Sequence, residues 1–548
     1  MASRTWSLAR HGRLLLQGPV QLRRLSTTPS RWNDVHKANQ APHLSFRSML
    51  DTLREQGDLV DIHESVSPNL EIGAITRRVY ETRAPAPLFH NVAGTDPKTG
   101  LFKMMGAPVG LRKGKKDENA RLALSIGLPA DSTPREIVEK MIAAKKGKPL
   151  PPVPIANAAE AACKENIIHG ADIDLNKWPI PLLHSHDGGK FLGTYGFHVV
   201  QTPDKSWTSW SISRAMHVAG EPRAITCPVL DGQHIAAVHR MWAEKGQETP
   251  WAMVLGGPPA AAWVAGMPLP YNVSEDGYIG ALSGTPLEVV KCETNDLYVP
   301  ANSEVVIEGR ISINKRAPEG PMGEYHGYAF EDEPVLKPVF NIDCVTYRNK
   351  PVVPICVAGN APDETHTVWG ASISAEVLEA LRKADFPVDF VWLPYEAHAF
   401  WIVVSVDIKK LGALKTGPEE LCRRAGDIIF STHAGWEIPK IFLVGNDVDI
   451  TDINQVMWAV STRYRPGADE FVFENYRGLP LFPYMTKAKR EKVPDPGLGG
   501  KSVVNLLLPQ EYEGKRDWVA SNFEGSYPAE VKEKVLAKWE KYGYKSDA

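Results

Sequence analysis

The chain has 548 residues, 43% of them hydrophobic and 23% charged, with a formal net charge of -3. That is a globular composition with material for roughly two to four domains. The near-neutral balance leaves no electrostatic footprint for nucleic acid, and no apolar run approaches the ~20 residues that cross a bilayer.

Residues 1–33 hold six arginines (Arg4, Arg10, Arg13, Arg23, Arg24, Arg31) and no acid, with Leu8, Leu14, Leu15, Leu16, Leu22 and Leu25 between them. Arg-rich, Ser-rich and acid-poor, this segment has the composition of a mitochondrial transit peptide; a disordered basic tail is the alternative. Subtracting those six from the 62 basic residues leaves 56 against 65 acidic ones, a body charge of -9, so a basic binding surface is still less expected. Six cysteines without a C-x-x-C pair argue against a zinc ribbon, a thioredoxin motif or a disulfide framework. Reduced thiols in an intracellular compartment are expected.

Phe46, Met49, Leu50 and Leu53 recur at helical spacing until Gly57, residues 59–62 read as a strand, and 71–81 as a second helix. Residues 110–150 are basic and polar, with a helix near 134–144 and a Pro-rich stretch at 149–154, and read as a linker or surface excursion. From 178 to about 341, short β-rich runs (197–201, 207–212, 225–229, 287–292, 304–307, 339–345) alternate with Gly, Pro and Asn, interrupted by a helix near 235–245. Strands at this density predict a barrel or sandwich. From 352 onward strands (388–392, 400–406, 440–444) alternate with helices (374–383, 418–430), an α/β layer pattern. A last amphipathic helix, 529–542, carries Val531, Val535 and Trp539 on one face, which docks on its own body or on a neighbouring subunit. The segments are therefore 1–33, 36–110 (an N-terminal α/β lobe), 111–345 (strand-rich), 346–500 (α/β) and 501–548 (tail and helix).

The stretch richest in chemistry is Glu319-Gly320-Pro321-Met322-Gly323-Glu324-Tyr325-His326-Gly327-Tyr328. Gly320, Pro321 and Gly323 break helices and favour turns, which sets two carboxylates on a loop. A nearby cation would draw one toward ionisation while burial holds the other protonated, so one site keeps an anionic positioner and a proton donor at neutral pH. A solvated acidic turn is the alternative. Arg214, after Trp207-Thr208-Ser209-Trp210-Ser211-Ile212-Ser213, is a guanidinium able to fork onto a carboxylate, or a surface ion pair. Gln233-His234 opens a helix and suits an anion or a metal; Ser274-Glu275-Asp276-Gly277 offers oxygens to a hard cation; Lys415 can meet a phosphate. Each of these three also fits a solvated side chain. His184-x-His186 lacks further spaced ligands, residues 256–259 lack a nucleotide-loop pattern, and the lysines at 113–116 read as a solvated face.

Together with Gly193-Thr194-Tyr195-Gly196, Gln233-His234-Ile235, Thr294-Asn295-Asp296-Leu297-Tyr298-Val299-Pro300, Asp363-Glu364-Thr365-His366-Thr367 and Arg477-Gly478-Leu479-Pro480-Leu481, these segments resemble, in order, the UbiD family of decarboxylases that use prenylated flavin mononucleotide (prFMN). Within it they are most similar to the fungal ferulic acid decarboxylases. The resemblance runs from about Phe46 to the terminal helix. It implies an α+β and α/β multidomain fold: a split β-barrel prFMN-binding domain over 111–345, an α/β dimerisation domain over 346–500 and a C-terminal helix swapped within a homodimer. It implies a divalent metal, usually Mn2+, holding the flavin phosphate, with K+ nearby, and a flavin prenyltransferase as supplier of the cofactor.

The resemblance makes Arg214, Glu319 and Glu324 the catalytic residues. Glu324 protonates the centre left when CO2 departs, and Glu319 pairs with Arg214 to hold it near the substrate carboxylate. No side chain can accept the electrons left by CO2, so the cofactor is the sink, and the protein supplies orientation, a dry pocket and one proton. Ser209, His234 and Glu275 fall on metal-ligand positions, Ser209 where the family usually has asparagine; a water can make up for the shorter hydroxyl at a hard cation. Trp210, Val264, Ala265, Met267 and Glu275 fall on potassium contacts, mostly through backbone oxygens. Gln233 and the backbone of Ser211, Ile212, Ser213 and Arg214 line the flavin, and Lys415 meets it. Tyr325, Thr365, Trp369 and Leu479 face the substrate. Tyr325 and Trp369 narrow the pocket and suit an aromatic ring, and Tyr325 can bond a phenol or a ring N–H. Three readings follow: a decarboxylase of ferulic- or cinnamic-type acids, one of hydroxybenzoic or heteroaromatic ring carboxylates, and an inactive flavin-binding assembly protein supported only by Ser209.

Overall fold

Ser45 caps the helix Phe46–Glu55 by accepting from Ser48 N at 3.3 Å, which buries Phe46, Met49, Leu50 and Leu53. This is a computed structural model that describes residues 29–544 except 231, 268, 270, 330–333, 361, 479–481 and 486–497. Residues 1–28, the bulk of the transit-peptide segment, and Leu479 lie outside the described residues.

Among the described residues, a four-stranded sheet runs in the order Leu59–Val66, Ala86–Val92, Lys103–Gly106, Val352–Ile355. Val352–Ile355, expected in the C-terminal α/β layer, pairs in parallel with Lys103–Gly106 instead. Its apolar run reveals a strand but not its partner, which is a long-range choice.

Residues 110–150 are not a surface excursion. Leu122, Ile126, Ile137, Met141 and Ile142 are buried in the largest core, and the helix Pro134–Lys146, closed by a Thr133–Glu136 capping box, packs on the helix Glu364–Lys383. Charge hid this: Arg121 is fully buried, forked onto Asp58 at 2.7 and 2.8 Å, and donates to the carbonyls of Ala84 and Ala107. A buried ion is tolerated when its donors are satisfied in this way. The Pro-rich stretch also enters a sheet, where Val153–Pro154 pairs with Glu288–Lys291.

The strand-rich middle is a nine-stranded sheet. It runs open from Phe191–Gly193 through Ala215–His217, Ala224–Thr226, Val335–Tyr347, Val305–Glu319, Thr249–Leu255 and Gly196–Gln201 to Thr208–Ser211, with Asn166–His169 also paired to Val335–Tyr347. Val305–Glu319 is far longer than the apolar run at 304–307 predicts, because its outer half (Asn314, Lys315, Arg316) is a polar ribbon paired with Val335–Tyr347. Glu319, expected on a loop, is therefore the last residue of a strand, opposite Val335.

The C-terminal sheet has the order Val388–Trp392, Trp401–Val406, Lys440–Gly445, Leu498–Asn505, Glu470–Arg477, with Glu364–Lys383 and Pro418–Phe430 packed on it. The helix Glu364–Lys383 begins ten residues earlier than its apolar periodicity predicts, because Asp363 caps it by accepting from Thr365 N at 2.8 Å. Lys501 to Asn505 sit between two paired strands, so the tail starts after the sheet and not at 501. The last helix is shorter than expected, Ala529–Leu536 followed by the 3-10 turn Glu540–Tyr542, and buries none of its residues. On its apolar face Val531 and Trp539 are exposed and Val535 is half-buried. Among the described residues no helix is long and apolar enough to cross a membrane, and all six cysteines are free and buried.

Candidate active site

Two groups of sequence-predicted residues converge on the two ends of the segment from Ser209 to Arg214. At the acid end, Arg214 connects the strands Thr208–Ser211 and Ala215–His217. Its Nε donates to Glu319 Oε1 at 2.7 Å and its Nη2 to Glu319 Oε2 at 3.3 Å, a two-pronged pair with an almost fully buried carboxylate. Its Nη1 donates to Glu324 Oε1. Burial disfavours charge on Arg214, but Glu324 and Glu319 beside it outweigh burial and raise its pKa. The Phe191 ring lies 5.8 Å from the guanidinium. Cys227, which the sequence did not single out, is buried nearby; burial first, then the charge of Glu319, pushes its thiol well above the ordinary range. The guanidinium thus bridges both acids, Glu324 as well as Glu319.

The loop after Glu319 turns where Gly327 N donates to Glu324 O and Glu324 N to Tyr328 O, both at 3.0 Å. Tyr325 is 5% exposed, and its hydroxyl has no hydrogen-bond partner among the described residues. Its ring meets Trp369 edge-on, centroids 5.6 Å apart. Thr365 and Trp369 lie one turn apart on the helix Glu364–Lys383, so they share a face. Spacing gave no signal for two further groups. Burial, opposed by Lys501, pushes the Glu437 carboxyl up to about 8. Glu437 lies within electrostatic reach of the Tyr325 hydroxyl. Lys501 donates to the carbonyls of Gly435 and Trp436 at 2.6 and 2.9 Å, fixing the turn before Glu437.

At the other end, residues 273–275 zip along 207–210. Trp207 Nε1 donates to Val273 O at 3.0 Å, Thr208 N to Ser274 Oγ at 3.2 Å and Trp210 N to Glu275 Oε2 at 2.9 Å. The remaining oxygen of buried Glu275 lies 2.8 Å from His234 Nδ1. His234 opens the helix His234–Ala243 and rests against the Trp207 ring at 4.9 Å. The side-chain atoms Ser209 Oγ, Trp210 Nε1 and Ser211 Oγ are buried without a partner among the described residues. The helix Pro259–Ala265 packs on Thr208–Ser211 and ends at Val264 and Ala265, with Met267 two residues further on. Helix carbonyl ends carry partial negative charge, which favours a cation. Gln233 Oε1 accepts from Leu230 N at 2.9 Å, and Ser213 Oγ donates to Pro228 O at 3.2 Å. Ile212 is exposed, with Cδ1 3.2 Å from where a Cβ on Gly266 would lie. His433, at the start of the short helix His433–Trp436, is within electrostatic reach of His234 and was not foreseen. Lys415 is exposed at the end of the helix Ile408–Leu414, and among the described residues its side chain pairs with none of this group.

The residues present fit a divalent cation that also binds a ligand. An imidazole, a carboxylate and an unpartnered hydroxyl are donors that Mn2+ accepts. Among the described residues no three His, Cys, Asp or Glu side chains converge.

The molecule is thus a multidomain α/β protein in which an arginine bridging two glutamates lies at one end of the segment from Ser209 to Arg214 and a His234–Glu275 pair beside unpartnered buried donors lies at the other. Family models described as the 3-octaprenyl-4-hydroxybenzoate carboxy-lyase N-terminal, Rift-related and C-terminal domains match residues 50–141, 155–361 and 366–506. The chain belongs to the UbiD family and is a carboxy-lyase. Pyrrole-2-carboxylic acid decarboxylase of Pseudomonas aeruginosa is 47% identical over 503 residues, 91% of this chain and 98% of that protein. Ferulic acid decarboxylase 1 of Saccharomyces cerevisiae is 42% identical over 506 residues, covering 92% and 99%. The UbiD-class enzyme HmfF from Pelotomaculum thermopropionicum, solved with FMN, superposes with a TM-score of 0.74 at 26% identity, over 87% of this chain and 97% of that one. An evolved dimeric form of it, solved with prFMN, gives 0.71 at 25%, over 89% and 99%.

Proposed function

We propose that the chain is a prFMN-dependent, non-oxidative and reversible decarboxylase of aromatic or aryl-acrylic carboxylic acids. The observation that carries this reading is Arg214 bridging a buried Glu319 and a less buried Glu324. When bound, prFMN supplies the electron sink for the carbon that loses CO2. Glu319 occupies Nε and Nη2 of Arg214 and holds the guanidinium in place. A substrate carboxylate attracted to Arg214 competes with Glu324 for the Nη1 side. Displaced from Nη1, Glu324 is the group placed to relay a proton from solvent to the substrate carbon after CO2 leaves.

His234, Glu275 and Ser209 would hold Mn2+. Trp210, Val264, Ala265 and Met267 would meet K+ with Glu275, and Gln233 and residues 211–214 would line the flavin. Lys415 enters this list by resemblance alone. The exposed apolar face of Ala529–Leu536 supports a helix that docks on a second copy in a homodimer.

A second reading, decarboxylation of a hydroxybenzoic or heteroaromatic ring carboxylate, is favoured by the unpartnered Tyr325 hydroxyl with Glu437 in reach. The similarity to a pyrrole-2-carboxylic acid decarboxylase points the same way. Co-expression with a flavin prenyltransferase, an absorbance spectrum and an acid panel test both. CO2 release from cinnamic and ferulic acids supports the first, and release from pyrrole-2-carboxylic or hydroxybenzoic acids alone supports the second. A flavin spectrum with no turnover on any acid returns the inactive assembly protein. Mitochondrial import is part of the proposal and fails if residues 1–33 do not carry a reporter into the organelle.

A further inference from the structure

The loop that carries Glu324 has no regular structure, yet the residue on each side of Glu324 is tied down. Gly323 N donates to Asp187 Oδ1 at 3.0 Å. The Asp187 side chain is fully buried. Its carboxylate also accepts from His184 N at 2.9 Å and meets His184 Nδ1 at 3.1 Å. The far side of that ring, Nε2, lies 3.0 Å from Ala358 O, just before the helix that carries Thr365 and Trp369. One residue on, Gly188 N donates to Pro321 O at 2.8 Å. Residues 184–188 and the loop touch so closely that a Cβ on Gly323 would lie 2.8 Å from the His184 ring, and one on Gly188 would run into Gly320 O. On the other side of Glu324, Tyr325 O lies 2.8 Å from His366 Nε2, while His366 Nδ1 accepts from Asp363 N at 3.0 Å, which leaves Nε2 as the donor.

Without these ties, each loop residue would regain conformational freedom. Proton transfer does not tolerate that freedom, since a misplacement of ~1 Å costs about a hundredfold in rate.

We infer that Asp187 is a positioning residue for proton transfer: through Gly323 and His184 it fixes the backbone that presents Glu324 and holds it in register with the wall formed by Thr365 and Trp369. This rests on Glu324 being the proton donor. Asp187 acts through the loop and has no bond to Arg214, Glu319 or Glu324 among the described residues.

The test compares Asp187→Ala, Asp187→Asn and Glu324→Gln as prFMN-loaded enzymes. The readouts are kcat, KM, the cofactor spectrum and deuterium uptake by residues 319–328. Asp187→Ala should lower kcat at least about tenfold with KM and spectrum unchanged, and residues 319–328 should take up deuterium faster while the strand Trp401–Val406 does not. Asp187→Asn should recover part of both losses: its amide oxygen still accepts from Gly323 N, but its NH2 replaces the oxygen that accepts from His184 N. Normal kcat in Asp187→Ala, a lower kcat with unchanged uptake, or an Asn variant as damaged as the Ala variant overturns the inference. Where Asp187→Ala does not fold, His184→Ala is read by the same two measurements and the same outcomes. A fully active Glu324→Gln sinks the donor assignment itself, whereas an inactive Glu324→Gln beside a normal Asp187→Ala sinks only the positioning role.

Discussion

The two ends of the segment from Ser209 to Arg214 differ in how finished they are. At the acid end Arg214 donates to both glutamates. At the cation end three buried polar atoms, Ser209 Oγ, Trp210 Nε1 and Ser211 Oγ, have no partner among the described residues. A buried polar atom left unpaired costs ~1–3 kcal/mol. A protein keeps several together where a ligand completes them. The acid end satisfies its own groups; the other end, the proposed cation socket, leaves donors open.

The largest effect should separate the ends outright. Glu324→Gln is expected to lower CO2 release by ~10^2–10^4 while the cofactor spectrum stays that of the parent. Loss of the spectrum would mean that the two ends are not separable.

A third buried acid sharpens the contrast between an acid paired with a cation and one without. Glu364 accepts from the Tyr80 hydroxyl and from Val109 N, and burial raises its pKa from 4.5 to about 7. The folded state therefore favours its protonated form. That stability is full below pH 4.5 and is lost as pH rises through about 7. Glu364→Gln should remove a loss on the order of 3 kcal/mol between those limits, read as melting temperature against pH.

At the socket, His234→Ala should weaken metal binding by ~10–100-fold, measured as manganese content after dialysis, with the melting temperature of the metal-free protein little changed. Tyr325→Phe removes a hydroxyl that has no partner among the described residues. It should cost about tenfold in kcat/KM on acids with a ring N–H or phenol and leave cinnamic acid unaffected. The smallest effect is Ser209→Ala: without metal it should be neutral or slightly stabilising in denaturant unfolding, because the hydroxyl is already unpartnered.

Much of the site was legible in the chain. Arg214 pairs with Glu319, and His234 meets Glu275, each as the residue types suggest. Other parts were hidden for physical reasons. His184 looks like a solvated loop histidine, yet both of its ring nitrogens are bonded, and Asp187 gives no spacing signal at all. Glu437 and Lys501 meet near Tyr325 only after two distant segments of the C-terminal sheet are assembled. Arg121 belongs to a charged stretch that reads as surface, and only its fork onto Asp58 makes burial possible.

By itself the sequence determined what depends on local order: where most helices begin, which runs are strands, and which residue types can hold a carboxylate, a cation or a proton. Periodicity and side-chain chemistry are properties of neighbouring residues, so they survive in one dimension. The tertiary structure alone decided that Val352–Ile355 joins the first sheet, that Glu319 ends a strand, that one arginine serves both glutamates, and that a buried aspartate ties the backbone beside the second. Those are pairings between residues far apart in the chain. Their energies come from burial and hydrogen-bond satisfaction, which exist only once the chain is folded.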